Sequence, residues 1–180
     1  GLLSWESSAT VINSEVSLNT AKSGGGLSSD GAASTLDIRS STVSGNISNG
    51  GVTHGGGGIN NYLGALKVIN STVSGNTSTN TGGGIENSGS VTLVNSTLTG
   101  NRADTALGGG IYTEGAATTL TVGNSLIAGN TAANGPEIYK VSGTFTSLGY
   151  NLFGASGAPG ISGTYTSVSY THLRAHETVL

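Results

Sequence analysis

Apolar and polar residues alternate over short segments of this chain, and the segments recur along it. Between Leu66 and Asn76, the apolar Leu66 and Val68 flank a lysine, and Val73 follows after a polar bend. Alternation with a period of two predicts a strand with one buried face. We therefore predict a strand around Leu66, a shorter strand around Val73, and a third strand that begins at the aliphatic residue after each glycine triplet.

The sequence T-V-S-G-N closes each repeat, either unchanged or as E-V-S-L-N, T-L-T-G-N or L-I-A-G-N. The closing asparagines follow one another at spacings of 27, 30, 25 and 29 residues. They are Asn19, Asn46, Asn76, Asn101 and Asn130. Repeats of this length built from short β segments are typical of a solenoid, in which one loop per coil absorbs the differences in length.

The pattern predicts an all-β fold, a right-handed parallel β-helix solenoid of about five coils with three short strands per coil. The handedness is expected because parallel strands are almost always joined by right-handed crossovers. We assign residues 1–154 to the repeat region and residues 155–167 to a Gly/Ser-rich terminal segment, and we interpret the chain as a fragment. Residues 168–180 break the repeat and back-translate to a sequencing-library adapter, so we expect them to be a non-native tail.

Two sets of repeated residues are predicted to be structural. The five closing asparagines are expected to stack in one column and to hydrogen-bond to each other as an amide ladder. The glycine triplets would let each coil turn sharply and lie close to its neighbours. These glycines are Gly24, Gly25, Gly26, Gly56, Gly57, Gly58, Gly82, Gly83, Gly84, Gly108, Gly109 and Gly110.

Composition narrows the classes of function. Of the 180 residues, 32 are glycine and only 8% are charged, with a formal net charge of −3 and no basic patch, so nucleic acid is not an expected partner. The chain has no cysteine, which excludes a disulfide scaffold and a thiolate metal site. The only H-x-x-x-H pair lies in the predicted tail, and we expect no metal and no cofactor. No run of 18 apolar residues is present, so we expect no membrane insertion by this segment.

Catalysis would require clustered carboxylates. The candidates are Asp30, Asp37, Glu86, Asp104, Glu114 and Glu137. In the alignment of the repeats they fall in different columns, and Asp37 aligns with Lys67 rather than with another acid. We therefore predict no catalytic residues here. Because parallel β-helices also host polysaccharide lyases and hydrolases, the alternative is a carbohydrate-active enzyme whose site lies in loops or outside this fragment.

Aromatic residues and one histidine are the remaining candidates for binding. Tyr62, Tyr112 and Tyr139 each lie near the end of a strand that follows the glycine-rich turn. They would form either an aromatic strip that stacks on glycans or, as we favour, side chains partly buried against neighbouring coils. His54 stands alone in a variable loop, where we expect it to be solvent-exposed.

The pairing of G-G-x-aliphatic with aliphatic-x-x-Asn resembles the repeats of bacterial polymorphic outer membrane proteins. More broadly it is similar to the parallel β-helix repeat regions of secreted or surface-anchored bacterial proteins. The matching segments are the glycine triplets with Val43–Asn46, Val73–Asn76, Leu98–Asn101 and Ile127–Asn130. The outer membrane family usually has Phe at the aliphatic position of the second motif, whereas this chain has Val, Leu or Ile there. The broader family is therefore the resemblance that we adopt. The resemblance implies a location outside the cell or at its surface, a stalk, passenger or adhesin role, and surface glycans or components of host or neighbouring cells as partners.

Overall fold

The structure, a computed structural model, describes residues 1–51, 55–104 and 107–154. Over these ranges the chain is all β, and its parallel strands stack into a solenoid of about five turns. This confirms the predicted parallel β-helix. His54 and the two predicted segments 155–167 and 168–180 lie outside the described residues. Within the described ranges, no helix is long and apolar enough to cross a membrane.

Three sheets of six parallel strands form the walls of the solenoid. Sheet 1 contains β1 (Leu2–Trp5), β5 (Leu27–Asp30), β9 (Ile59–Tyr62), β13 (Ile85–Asn87), β17 (Ile111–Thr113) and β20 (Ile138–Lys140). Sheet 2 contains β2 (Ser8–Ile12), β6 (Thr35–Arg39), β10 (Ala65–Ile69), β14 (Ser90–Val94), β18 (Thr119–Gly123) and β21 (Thr144–Ser147). Sheet 3 contains β3 (Glu15–Ser17), β7 (Thr42–Ser44), β11 (Thr72–Ser74), β15 (Thr97–Thr99), β19 (Leu126–Ala128) and β22 (Leu152–Phe153).

A fourth, narrower sheet adds to the three strands predicted per coil. Sheet 4 contains the two-residue strands β4 (Thr20–Ala21), β8 (Ile47–Ser48), β12 (Thr77–Ser78) and β16 (Arg102–Ala103). These strands come directly after the closing asparagines and return the chain to the next glycine triplet. Two residues are too few to show a period-two pattern, and for this reason the sequence did not reveal them.

The core consists of apolar side chains that lie directly above one another. Its columns, with every member at most 1% exposed, are Leu36, Leu66, Val91 and Leu120; Ile38, Val68, Leu93 and Val122; Val43, Val73, Leu98 and Ile127; and Leu27, Ile59, Ile85, Ile111 and Ile138. Burying each such side chain contributes about 1.5–3 kcal/mol. The alternating pattern of the sequence thus becomes a continuous apolar interior.

The predicted register is also present on the outside of sheet 2. Asp37 lies beside Lys67, as the alignment of the repeats predicts. The closest cation to Asp37 is nevertheless Arg39 on the same strand, at 2.6 Å. The hydrogen bond from this guanidinium lowers the pKa of Asp37 below its ordinary value.

The closing asparagines form the predicted ladder. Asn76 shows the repeated pattern: its side-chain Nδ2 donates to Asn101 Oδ1 at 2.9 Å and to the Val43 carbonyl at 3.0 Å, and its Oδ1 accepts from Asn46. The same side-chain bond joins Asn19 to Asn46 and Asn101 to Asn130. In four coils the residue with left-handed backbone at this bend is the glycine just before the asparagine, Gly45, Gly75, Gly100 or Gly129, and none of the five asparagines has a positive φ.

A second ladder, of serines, was not predicted. The backbone N–H of each serine donates to the hydroxyl of the equivalent serine in the next coil at 3.1 Å. The column is Ser14, Ser41, Ser71, Ser96 and Ser125, and Asn151 Oδ1 ends it by accepting from the Ser125 N–H. The residue before each serine has a positive φ, and in four of the five coils this residue is an asparagine: Asn13, Asn70, Asn95 and Asn124.

The three glycines of each triplet have different physical reasons to lack a side chain. The first, as at Gly56, has a positive φ of 70°. The second, as at Gly57, packs so closely on the next coil that a Cβ would lie 2.5 Å from the Thr77 carbonyl carbon. The third, as at Gly58, faces the ladder, and its Cβ would lie 2.9 Å from Asn76 Nδ2. The predicted role of the triplets in sharp turns and close packing therefore has a specific cause at each position.

Replacing Gly57 should separate close packing from backbone conformation. We expect Gly57→Ala to destabilise the fold by about 3 kcal/mol, because the new methyl group collides with backbone atoms of the neighbouring coil. Gly75→Ala is the matched control, since Gly75 has a positive φ but its Cβ would meet only Gly45 N, at 3.9 Å, and it should cost only about 1–2 kcal/mol. Urea denaturation followed by circular dichroism measures both, and equal losses would contradict the packing argument.

The ladder can be tested at its centre. Asn76→Ala removes the side-chain N–H that donates to Val43 O and Asn101 Oδ1 and the side-chain oxygen that accepts from Asn46 N, at a site that is fully buried. We expect a loss of about 3 kcal/mol or more in the free energy of unfolding. The control is Asn49→Ala, because Asn49 is exposed and, among the described residues, makes its hydrogen bond through the backbone N–H, to the Ala21 carbonyl. This variant should change stability by no more than about 0.5 kcal/mol. A similar small effect at Asn76 would mean that the ladder does not stabilise the stack.

Candidate functional site

The outer face of sheet 1 carries most of the aromatic and acidic side chains that stacking does not explain. Two columns of outward-pointing residues run along this face. The pairing of each strand with the next shows which residues belong to each column. One column is Leu3, Ser28, Asn60, Glu86, Tyr112 and Tyr139. The other is Trp5, Asp30 and Tyr62, continued just beyond the strand ends by Ser88, Glu114 and Val141.

Part of this face is a groove that runs along the solenoid across five coils. It has a volume of about 760 Å³. We call it the sheet 1 groove, and its lining residues are Gly1, Leu2, Leu3, Trp5, Ala21, Ser23, Gly24, Ser28, Asp30, Asn60, Tyr62, Glu86, Ser88 and Glu114. With strands about 4.8 Å apart, the five coils it crosses span about 19 Å, which is long enough for an extended ligand.

Glu86 lies in the middle of this face and is only 9% exposed. Its Oε2 lies against Gly55 and Thr81 and has no hydrogen-bond partner of normal geometry among the described residues. Burial raises the pKa of Glu86 from 4.5 to about 7, with a smaller contribution from the Glu114 carboxylate. The Thr81 hydroxyl and the Gly55 backbone oppose this shift but do not cancel it.

Glu114 is held on the neighbouring coil by a tyrosine. The Tyr112 hydroxyl donates to Glu114 Oε2 at 2.7 Å. Burial, together with this hydrogen bond and the negative charge of Glu114, raises the pKa of Tyr112 well above its ordinary value. Tyr112 therefore stays a neutral donor that orients the Glu114 carboxylate at the edge of the groove.

The three tyrosines singled out in the sequence do not form one strip. Tyr112 and Tyr139 stack on each other, with ring centroids 6.1 Å apart and planes within 10°, and Tyr112 is buried. Tyr62 lies in the other outward column and is 52% exposed. Partial burial thus describes the first two, whereas Tyr62 lines the groove with a free ring face.

Trp5 was missed by the sequence analysis. It is the only tryptophan in the chain, it is 67% exposed, and register places it two strands from Tyr62 in the same column. No glycine triplet precedes β1, so the repeat motif did not mark this strand. The sequence signal that could have revealed β1 is the alternation of Leu2 and Ser4 with the outward residues Leu3 and Trp5, and it extends over only four positions.

The other acids are occupied elsewhere. Asp104 lies 2.5 Å from Arg102 and does not line the groove. Glu137 is buried and accepts hydrogen bonds from the backbone of Gly129 and Asn130 and from the Asn130 side chain. Within the part of the chain that the structure describes, no three His, Asp or Glu residues are grouped so that they could hold a metal ion. The groove offers carboxyl groups and aromatic ring faces.

The chain matches no protein family model, no curated protein and no solved structure.

Glu86 should make stability depend on pH. Its pKa is higher in the folded state than in the unfolded chain, so from about pH 4.5 to about pH 7 the folded state binds more protons and loses stability as the pH rises. The loss should total up to about 3 kcal/mol and level off above pH 7. Glu86→Gln should remove this slope and be more stable than the wild type at pH 8.

Urea denaturation at pH 5, 6, 7 and 8 measures this effect. The matched control is Glu15→Gln, because Glu15 is exposed on sheet 3, and this variant should retain the wild-type slope. If Glu86→Gln and the wild type show the same dependence on pH, the buried carboxyl is not its source.

Proposed function

We propose that this chain is a non-catalytic, structural and adhesive β-helix segment of a secreted or surface-displayed bacterial protein, of stalk, passenger or adhesin type. Its role is to hold binding surfaces at fixed positions outside the cell. Surface glycans or components of host or neighbouring cells are the partners that this role requires.

The unbroken register of the three main sheets carries the proposal. Each coil pairs with the next through its backbone and through at least two columns of side-chain hydrogen bonds. Apolar columns fill the interior from the second coil to the sixth. A chain paired in this way at every coil is expected to be stiff along its axis, which suits a spacer or a display scaffold.

The distribution of exposed residues adds to this argument. Inward positions repeat from coil to coil, whereas the outward positions of sheet 1 vary between coils, apart from the stacked pair Tyr112 and Tyr139, and include the exposed rings of Trp5 and Tyr62. Large exposed aromatic side chains next to carboxylates are typical of surfaces that bind a ligand. The face of sheet 1 is therefore the binding surface that we assign to the adhesive role.

The second candidate is a carbohydrate-active enzyme, and the pair Glu86 and Glu114 favours it. Near pH 7 the buried Glu86 is about half protonated, because its pKa is about 7. Glu114 lies on the next coil with its carboxylate hydrogen-bonded to Tyr112. Two acids in unlike environments are what an acid–base pair for glycoside hydrolysis requires.

A combined binding and turnover assay tests the function. We expect the intact chain to bind a subset of immobilised glycans or bacterial and host cells, and to release no reducing ends or unsaturated products from a polysaccharide panel during prolonged incubation. Product formation that is lost in both Glu86→Gln and Glu114→Gln would replace the adhesive function by the enzymatic one. Absence of both binding and turnover would leave a purely structural stalk and contradict the adhesive role.

A further inference from the structure

The sheet 1 groove combines two exposed aromatic rings with an acid between them. Trp5, Asp30 and Tyr62 follow one another in a single outward column on consecutive strands. The two rings are therefore about 10 Å apart along the solenoid. Both rings are more than half exposed, so each can stack on the apolar face of a sugar ring without rearrangement of the fold.

The charged side chains of the groove are of one sign. Its lining includes the carboxyl groups of Asp30, Glu86 and Glu114, and among the described residues no lysine or arginine lines it. Polyanionic glycans would meet these charges without a side-chain cation to offset them. A ligand with positive charge would instead be attracted, both by the carboxylates and by the faces of the aromatic rings.

Glu86 adds a further acid to the lining of the groove. It is 9% exposed, and its Oε2 is buried against Gly55 and Thr81 without a hydrogen-bond partner of normal geometry among the described residues. The fold therefore stabilises the charged form of this carboxyl group poorly. A cationic group on a ligand in the groove would favour that charged form.

Over β5, β9 and β13, recognition in the groove must use side chains. The backbone of β5, β9 and β13 is hydrogen-bonded to a strand on either side, so a peptide cannot add itself as a further strand there. Ring faces that alternate with carboxylates fit a chain of rings that bear amino groups better than they fit an extended peptide.

We propose that the sheet 1 groove binds a saccharide chain with free amino groups, a polymer or oligomer of hexosamine. This inference rests on the proposed adhesive function and names its ligand class. Trp5 and Tyr62 stack on the sugar rings, and Asp30, Glu86 and Glu114 accept hydrogen bonds from the ammonium and hydroxyl groups.

Titration calorimetry of the intact chain with four probes tests this assignment. The probes are glucosamine oligosaccharides, their N-acetylated counterparts, polygalacturonate and oligolysine. We expect the glucosamine oligomer to bind at least about tenfold more tightly than the N-acetylated form, with an affinity that falls as salt increases. Polygalacturonate should not bind.

Variants locate the site. Trp5→Ala and Tyr62→Ala should each weaken glucosamine binding about fivefold or more, and Asp30→Asn should reduce both the affinity and its dependence on salt. Tyr62→Phe keeps the ring and should bind almost as the wild type does. Tyr150→Ala and Asp37→Asn are matched controls outside the groove, and they should leave binding unchanged.

Three outcomes would overturn the assignment. Equal binding of the N-acetylated oligomer would show that the carboxylates do not select charge, and oligolysine binding as tight as glucosamine binding would make the groove a site for basic peptides. Binding that survives Trp5→Ala and Tyr62→Ala would place the ligand elsewhere. In that last case other glycans could still bind the chain, so the proposed adhesive function would stand while this inference fails.

Discussion

The buried asparagines of the ladder find their hydrogen-bond partners in the neighbouring coils, and the alignment of the coils depends on that constraint. Asn46, Asn76 and Asn101 each donate to the equivalent amide one coil further on and to a backbone carbonyl one coil back. A buried amide without such partners would cost about 1–3 kcal/mol for each lost bond. The ladder therefore fixes both the residue type and the axial alignment of neighbouring coils.

The glycine triplets are a consequence of the same ladder. The third glycine lies beside an asparagine amide, and at Gly110 a Cβ would lie 3.0 Å from Asn130 Nδ2. In the following coil Glu137 occupies the position of this third glycine. The backbone hydrogen bonds show the equivalence, since Ile85 N–H donates to the Gly110 carbonyl and, one coil later, Ile111 N–H donates to the Glu137 carbonyl. Here the side chain enters the column, and its carboxylate accepts from Asn130 as the next asparagine would. The position is glycine where the asparagine ladder continues and an acceptor where it ends.

The features that could be predicted from the sequence are those that stacking forces to repeat. The core columns around Val43 and Val73, the asparagine ladder and the register of Asp37 with Lys67 all follow from aligning the repeats. The serine ladder also repeats, but its serines follow the asparagines of the bend, and its bonds use backbone N–H groups that a sequence does not display. The two-residue strands of sheet 4 are too short to carry a pattern of their own.

The groove could not be predicted because outward positions are free of the stacking constraint. Trp5, Asp30 and Tyr62 are three different amino acids, so no repeated residue marks their column in the sequence. Only the pairing of their three strands shows that they lie in one column. For the same reason the candidate acids looked scattered: Glu86 and Glu114 occupy different columns, yet adjacent coils bring them close enough for one charge to raise the pKa of the other group.

The contrast between two buried glutamates separates structural acids from the candidate site. Glu137 makes three hydrogen bonds to Gly129 and Asn130, and these offset the cost of burying it. Glu86 is similarly enclosed, but its Oε2 has no comparable partner among the described residues, and burial, with a smaller contribution from Glu114, raises its pKa. At the same register position the neighbouring strands carry Asn60 and Tyr112, so stacking does not require an acid there. A side chain that lowers stability without serving the ladder or the core is best explained by what it contributes to the groove.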